Sequence, residues 1–270
     1  MAQGIRVQSL AVALLLASGV ASGAAGLGVL AGYSFDDGRV DTGPDTFAVF
    51  QNGKGTVTLT DRYRMSGYQA VEIREEPGDD DFAELQGYFE KREKGRLYFH
   101  FALLTATPRE RLNIALAGPA HFGLRKDGIA FWLTSEDGWL RHTSDSIPKK
   151  LFRLRAFTWY GIDVRYDIGR GTYDLLIRQE GESEPVASLK DQPNATRQAG
   201  SAVDKFSFIG DLNESSVVYY IDDVMIAVDG SVPEVPFVAP GRKKLFADAW
   251  LEGRKAEAKP RCPSTRMLSD

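Results

Sequence analysis

A single cysteine, Cys262, stands in a chain of 270 residues. No intrachain disulfide can therefore form, and a folded domain must be held by its apolar core. Histidine is almost as scarce, with only His100, His121 and His142. Their equal spacing along the chain does not imply convergence in space, because strands and loops differ in length, and each reads as an isolated surface or face histidine. Positive charge is not in excess either: 33 Lys and Arg are dispersed among 37 Asp and Glu, for a net charge of -4. A phosphate backbone needs a basic stripe, so this balance argues against a nucleic-acid partner. The spacings G-x-S-x-G, H-E-x-x-H, G-x-x-x-x-G-K and C-x-x-C are all missing, which removes the commonest nucleophile-elbow, zinc-protease, phosphate-loop and dithiol chemistries. Helical periodicity is also nearly absent before the last thirty or so residues.

What remains is organised in four parts. Arg6 precedes LAVALLLASGVASGAAG (Leu10 to Gly26), a short leucine-rich run grading into small residues. That layout predicts a cleaved signal peptide over residues 1–25, a secreted, periplasmic or cell-surface location, and no stable membrane span after cleavage. Residues 27–230 read as one β domain. SVPEVPFVAPG (residues 231–241) reads as a Pro-rich linker. Residues 242–270 form a C-terminal tail, partly helical, interrupted at Gly253.

Within the β domain, short apolar–polar alternations follow one another: GTVTLTDRY, YQAVEIRE, GRLYFHFALL, LNIALAG, GIAFWLTSEDGWLRH, FTWYGIDVRYDIGRGTYDLLIRQ, DKFSFIGDL and SVVYYIDDVMIAV. Turn residues separate them at Lys126-Asp127-Gly128, Glu136-Asp137-Gly138 and Gly169-Arg170-Gly171. The acid-dense EEPGDDDFAE (Glu75 to Glu84) reads as a solvated loop. Period-2 counting puts Leu97, Phe99, Phe101 and Leu103 on one face of their strand and Tyr98, His100, Ala102 and Leu104 on the other. It likewise makes Ile129, Phe131 and Leu133 core, with Ala130, Trp132 and Thr134 opposite. Tyr160, Ile162, Val164 and Tyr166 point in, and Trp159, Gly161, Asp163 and Arg165 point out. Exposed aromatics beside hydrogen-bonding groups make a recognition surface. The expected ligand-binding set is Tyr98, His100, Trp132, Trp159, Asp163 and Arg165.

LAGYSFDDG (Leu30 to Gly38), FTWYGIDVRYDIGRGTYDLLI (Phe157 to Ile177) and KFSFIGDLNESSVVYYIDDVMIAV (Lys205 to Val228) occur in that order. Through them the stretch from Gly28 to Asp229 resembles the concanavalin A-like lectin and glucanase jelly rolls, near their laminin-G-like branch. The resemblance implies an all-β, two-sheet antiparallel jelly-roll β-sandwich. It also implies that the opening strand and the closing DDV meet and hold a structural Ca²⁺, with Asp36, Asp37, Asp222 and Asp223 as candidate ligands. Catalytic glucanases of this architecture carry an E-x-D-x-E strand that sets two carboxylates on one face. No such spacing occurs here. The expected function is a non-catalytic binding module for glycan or another extracellular surface. The alternatives are a glycan-active enzyme of the same fold with a different site, or a structural domain of an envelope protein.

Overall fold

The computed structural model describes residues 28–77, 82–118, 128–196, 202–210 and 215–229. The expected signal peptide, linker and tail, together with His121 and Cys262, lie outside the described residues. Fifteen strands follow in order: β1 (Val29–Tyr33), β2 (Ala48–Asn52), β3 (Thr56–Thr60), β4 (Ala70–Glu75), β5 (Phe82–Arg92), β6 (Arg96–Thr105), β7 (Leu112–Ala117) and β8 (Ile129–Glu136). Then come β9 (Trp139–Ser144), β10 (Ile147–Arg153), β11 (Trp159–Asp167), β12 (Thr172–Gln179), β13 (Pro185–Pro193), β14 (Val203–Gly210) and β15 (Val217–Val228). All regular structure among the described residues is strand.

The strands form two antiparallel sheets. An eight-stranded sheet runs β13-β12-β11-β6-β15-β4-β3, with β1 added against β15, and a seven-stranded sheet runs β10-β9-β8-β7-β14-β5-β2. Apolar residues at every second position of both sheets meet in one core. Its centre is a set of rings from the two sheets: Phe99 and Phe101 of β6 against Phe206 and Phe208 of β14, with centroids 4.9 to 6.4 Å apart. All four are fully buried, and each contributes about 1.5–3 kcal/mol by leaving water. The turn at Asp137-Gly138 is a two-residue hairpin with both φ values positive, 54° and 77°, the geometry that matches strand twist.

Two bulges shift the alternation that the sequence suggests. In β8 the register slips so that Leu116 pairs with Phe131 and Ala117 with Ile129. Ala130 therefore joins the core, and Ile129 packs instead with Ala115, Ala195 and Trp132 on the other side. In β15, Asp222 pairs with Ala102 and Met225 with His100, one residue too many, with Asp223 at φ 49°. Residues 217, 219 and 221 face the core before the bulge, and 224 and 226 after it. The adjacent carboxylates are the bulge, which lets both sit away from the core without breaking the strand.

The acid-dense stretch also differs from expectation. From Phe82 onward it is strand, and Glu84 belongs to β5, between β14 and β2. Glu, Gln, Lys and a glycine give β5 low intrinsic strand preference. Tertiary packing decides it: the Phe206 ring occupies the place of a side chain at Gly87, where a Cβ would lie 2.0 Å from the ring tip.

Candidate functional site

Cross-strand pairing divides the expected ligand-binding residues between two faces. Tyr98, His100, Trp159, Asp163 and Arg165 come together on the outer face of the eight-stranded sheet, where Arg165 pairs with Tyr98, Asp163 with His100 and Trp159 with Leu104. Trp132 lies on the outer face of the opposite sheet. The two faces differ in their access to water.

The outer face of the eight-stranded sheet is largely closed. Trp159 is 4% exposed and Tyr98 8%. Trp159 packs with Leu104, Tyr220, Ala102 and Met65, so its ring serves a satellite core instead of stacking on a ligand. Asp163 is the hub of a polar cluster. It accepts from the Tyr98 hydroxyl, from Arg178 at 2.6 Å, and meets His100 Nδ1 at 2.9 Å. Burial alone would push the Asp163 carboxyl up, but His100, Tyr98 and Arg178 hold it below the usual range. Burial alone would lower His100; its bond to Asp163 and the nearby charges of Asp163 and Asp223 raise it. This is an internally neutralised ion cluster, which orders the sheet. Arg165 stays half-exposed, 3.8 Å from Asp229. Exposed aromatics on this side are Tyr63, Tyr68 and Phe157, the first and last with centroids 5.6 Å apart.

The expected calcium ligands also converge, around the segment from Met65 to Gln69. Asp222 Oδ2 accepts the backbone N–H groups of Met65 and Ser66 at 2.7 and 3.0 Å, and its Oδ1 accepts that of Asp223 at 2.8 Å. Asp36 Oδ1 accepts from Tyr68 and Gln69 at 2.6 and 3.0 Å. The Ser66 hydroxyl donates to Asp223 at 2.5 Å, and Asp37 is exposed. Burial raises Asp36, Asp222 and Asp223, and the charge of Asp223 adds to the effect on Asp222. Ca²⁺ needs six to eight oxygens facing it. Here five main-chain N–H groups and a hydroxyl engage both oxygens of Asp222 and one oxygen each of Asp36 and Asp223, and among the described residues no group of three or more His, Cys, Asp or Glu is arranged to hold a metal. The visible work of these carboxylates is to pin the chain over the β6–β15 seam.

The outer face of the seven-stranded sheet is more open by contrast, alternating buried residues with half-exposed or exposed ones along much of β5, β8 and β14, with Asn113 of β7 and Arg141 of β9 half-exposed between them. Register defines its rows. One runs Phe50, Glu84, Ile209, Asn113, Thr134, Arg141, Lys150 across all seven strands, and the next runs Ala48, Gln86, Ser207, Ala115, Trp132. Two side-chain ladders cross them. Trp132 Nε1 and Thr134 Oγ1 both donate to Asn113 Oδ1, at 3.0 and 3.1 Å. Tyr88 donates to Gln86 at 2.5 Å, while Gln86 and Ser207 donate to Glu84 at 2.6 and 2.5 Å. Tyr88 is 53% exposed and Phe50 43%. Aromatic faces and fixed hydrogen-bonding groups thus share one surface. Of the expected ligand-binding set, only Trp132 lies on this face. The i, i+2, i+4 pattern Glu84, Gln86, Tyr88 was the available signal for the rest of the first ladder.

Two twisted antiparallel sheets stacked over a single aromatic core, with the first and last strands paired side by side, define a concanavalin A-like jelly-roll sandwich. No protein-family model matches the chain, and no curated protein matches it. Solved structures do resemble it. A sialidase superposes with a TM-score of 0.58 at 11% identity, over 75% of this chain but 19% of that one. The catalytic domain of a GH131 β-glucanase from Podospora anserina gives a TM-score of 0.55 at 15% identity, covering 79% of this chain and 99% of its own. The cellulose induced protein Cip1 gives 0.52 at 13% identity, over 73% and 97%. At these identities what is shared is the fold.

Proposed function

We propose that this protein is a secreted, non-catalytic module that binds glycan on the outer face of the seven-stranded sheet. The observation that carries the reading is the Trp132–Asn113–Thr134 ladder beside Tyr88, Gln86, Glu84 and Ser207 on an open face. A sugar ring offers apolar C–H faces to aromatic rings and a hydroxyl edge to amides, hydroxyls and carboxylates, and this surface supplies both. The neighbouring folds lend support, since one is a sialidase and another a β-glucanase catalytic domain. Secretion is part of the proposal and rests on the run from Leu10 to Gly26.

Catalysis is the weaker reading. Its best candidates on this face are Glu84 and Glu136, and the three strand gaps and two residues between them put their Cα atoms roughly 16 Å apart. Paired-carboxylate glycosidases hold theirs within about 5–9.5 Å. Glu136 is moreover engaged by Arg111 and by Arg141 at 2.6 Å. The test is a glycan array on the whole chain, repeated with Trp132→Ala. Binding by the wild type that the variant loses supports the proposal; no glycan bound, or undiminished binding by the variant, refutes it.

A further inference from the structure

One end of the open face carries cations that no described carboxylate pairs with. Lys150 and Arg153 are exposed on β10, the edge strand of the seven-stranded sheet, while Lys149 pairs with the buried His142 and belongs to the other face. Lys150 continues the row of Asn113, Thr134 and Arg141. Arg153 pairs with Trp139 one row away. Both cations rest on the Trp139 ring, Lys150 Nζ and Arg153 Cζ each 4.9 Å from its centroid, which holds them over the face instead of leaving them to extend into water. No described carboxylate lies within ion-pair distance of Lys149, Lys150 or Arg153. The acids nearby are spoken for: Glu136 takes Arg111 and Arg141, and Asp137 lies 3.7 Å from Arg141. Those four charges cancel, so among the described residues two unpaired positive charges, Lys150 and Arg153, remain at this end of the face, in a protein whose net charge is -4.

Resting on the glycan-binding reading above, we infer that the glycan this face takes carries carboxylate groups, as a polymer of uronic acids does. Its rings lie on Trp132 and the Asn113–Thr134 ladder, and its acid groups reach Lys150 and Arg153. From Asn113 to Lys150 the row crosses three strand gaps, roughly 14 Å, room for more than one sugar ring. An array of cations held by an aromatic ring on an otherwise acidic protein favours an anionic chain over a neutral one. It does so through charge-assisted contacts that weaken with salt.

Binding of oligogalacturonate and of its methyl ester, the same sugar without charge, separates the contributions. The wild-type chain is expected to bind the acid about tenfold more tightly than the ester, since two partly exposed ion pairs give up to about that factor. Rising salt should erode this preference. The double variant Lys150→Gln/Arg153→Gln should lose it, bind the ester unchanged, and melt with the wild type. Equal wild-type affinity for acid and ester, or a double variant that keeps the preference, overturns the inference. So does binding confined to a neutral glycan in a Trp132-dependent way, which would leave the proposed function standing. No glycan binding of any kind would remove both.

Discussion

The indole N–H of Trp132 donates to Asn113 Oδ1 at 3.0 Å across the β7–β8 pair, and the same oxygen accepts the Thr134 hydroxyl at 3.1 Å. One amide thereby fixes an aromatic ring and a hydroxyl on a half-exposed face. Trp132→Ala and Asn113→Ala should each weaken glycan binding by tenfold or more, about the effect of truncating an interface anchor. Both should stay folded, because the groups left behind still reach water. Calorimetric titration and a melting curve on each variant check this; unfolding of both would assign the residues to the core.

Trp159 should behave in the opposite way. Its ring is 4% exposed among Leu104, Tyr220 and Ala102, so Trp159→Ala should cost about 3–5 kcal/mol by cavity formation. Asp163→Ala should cost a similar amount, since it strands His100 and Arg178 without their shared carboxylate. Denaturant unfolding measures both. A loss under about 1 kcal/mol in either would show that this face is open after all.

His142 is buried, its Nδ1 2.8 Å from the Tyr173 hydroxyl, which itself donates to Thr143 O at 3.0 Å. Burial, aided by the charge of Lys149, lowers it to about 4. A histidine with a depressed folded pKa stabilises above its unfolded pKa, near 6.5, and loses that contribution as pH falls toward its folded value. Stability should therefore decline by roughly 1 kcal/mol per pH unit between about pH 6.5 and 4. His142→Gln should remove that part of the slope, and an unchanged slope would exclude His142 as its source.

Asp222 accepts three backbone N–H groups. Asp222→Asn turns an amide N–H₂ toward at least one of those donors and should cost about 1–3 kcal/mol, the penalty for a buried donor left unpaired. Because these oxygens already have partners, melting curves with calcium and with chelator should coincide. A shift of several degrees on chelation would restore the structural calcium site that the resemblance implied.

Much of the fold could be read from alternation alone, because Leu97, Phe99, Phe101 and Leu103, and Tyr160 through Tyr166, keep strict period 2 and do face the core. Alternation fails where the backbone adds a residue, at Ala130 and at Asp222-Asp223, and nothing local announces a bulge. It also fails for β5, whose polar face looks like a loop until the Phe206 ring packs on its Gly87. The site was harder for a physical reason. Sequence shows that Trp132 and Trp159 both point away from the core, but which sheet each strand joins is a non-local outcome. Whether neighbouring side chains close over a ring is equally invisible from its own strand.

Hydroxyl-radical footprinting of the chain with and without a glycan identified on the array distinguishes the two faces most directly, because exposed aromatic rings mark each of them. Binding on the seven-stranded sheet should protect Tyr88 and Trp132 while leaving Tyr63, Tyr68 and Phe157 as reactive as before. Protection of Tyr63, Tyr68 and Phe157 with Tyr88 and Trp132 unchanged would place the ligand on the eight-stranded side and contradict the assignment.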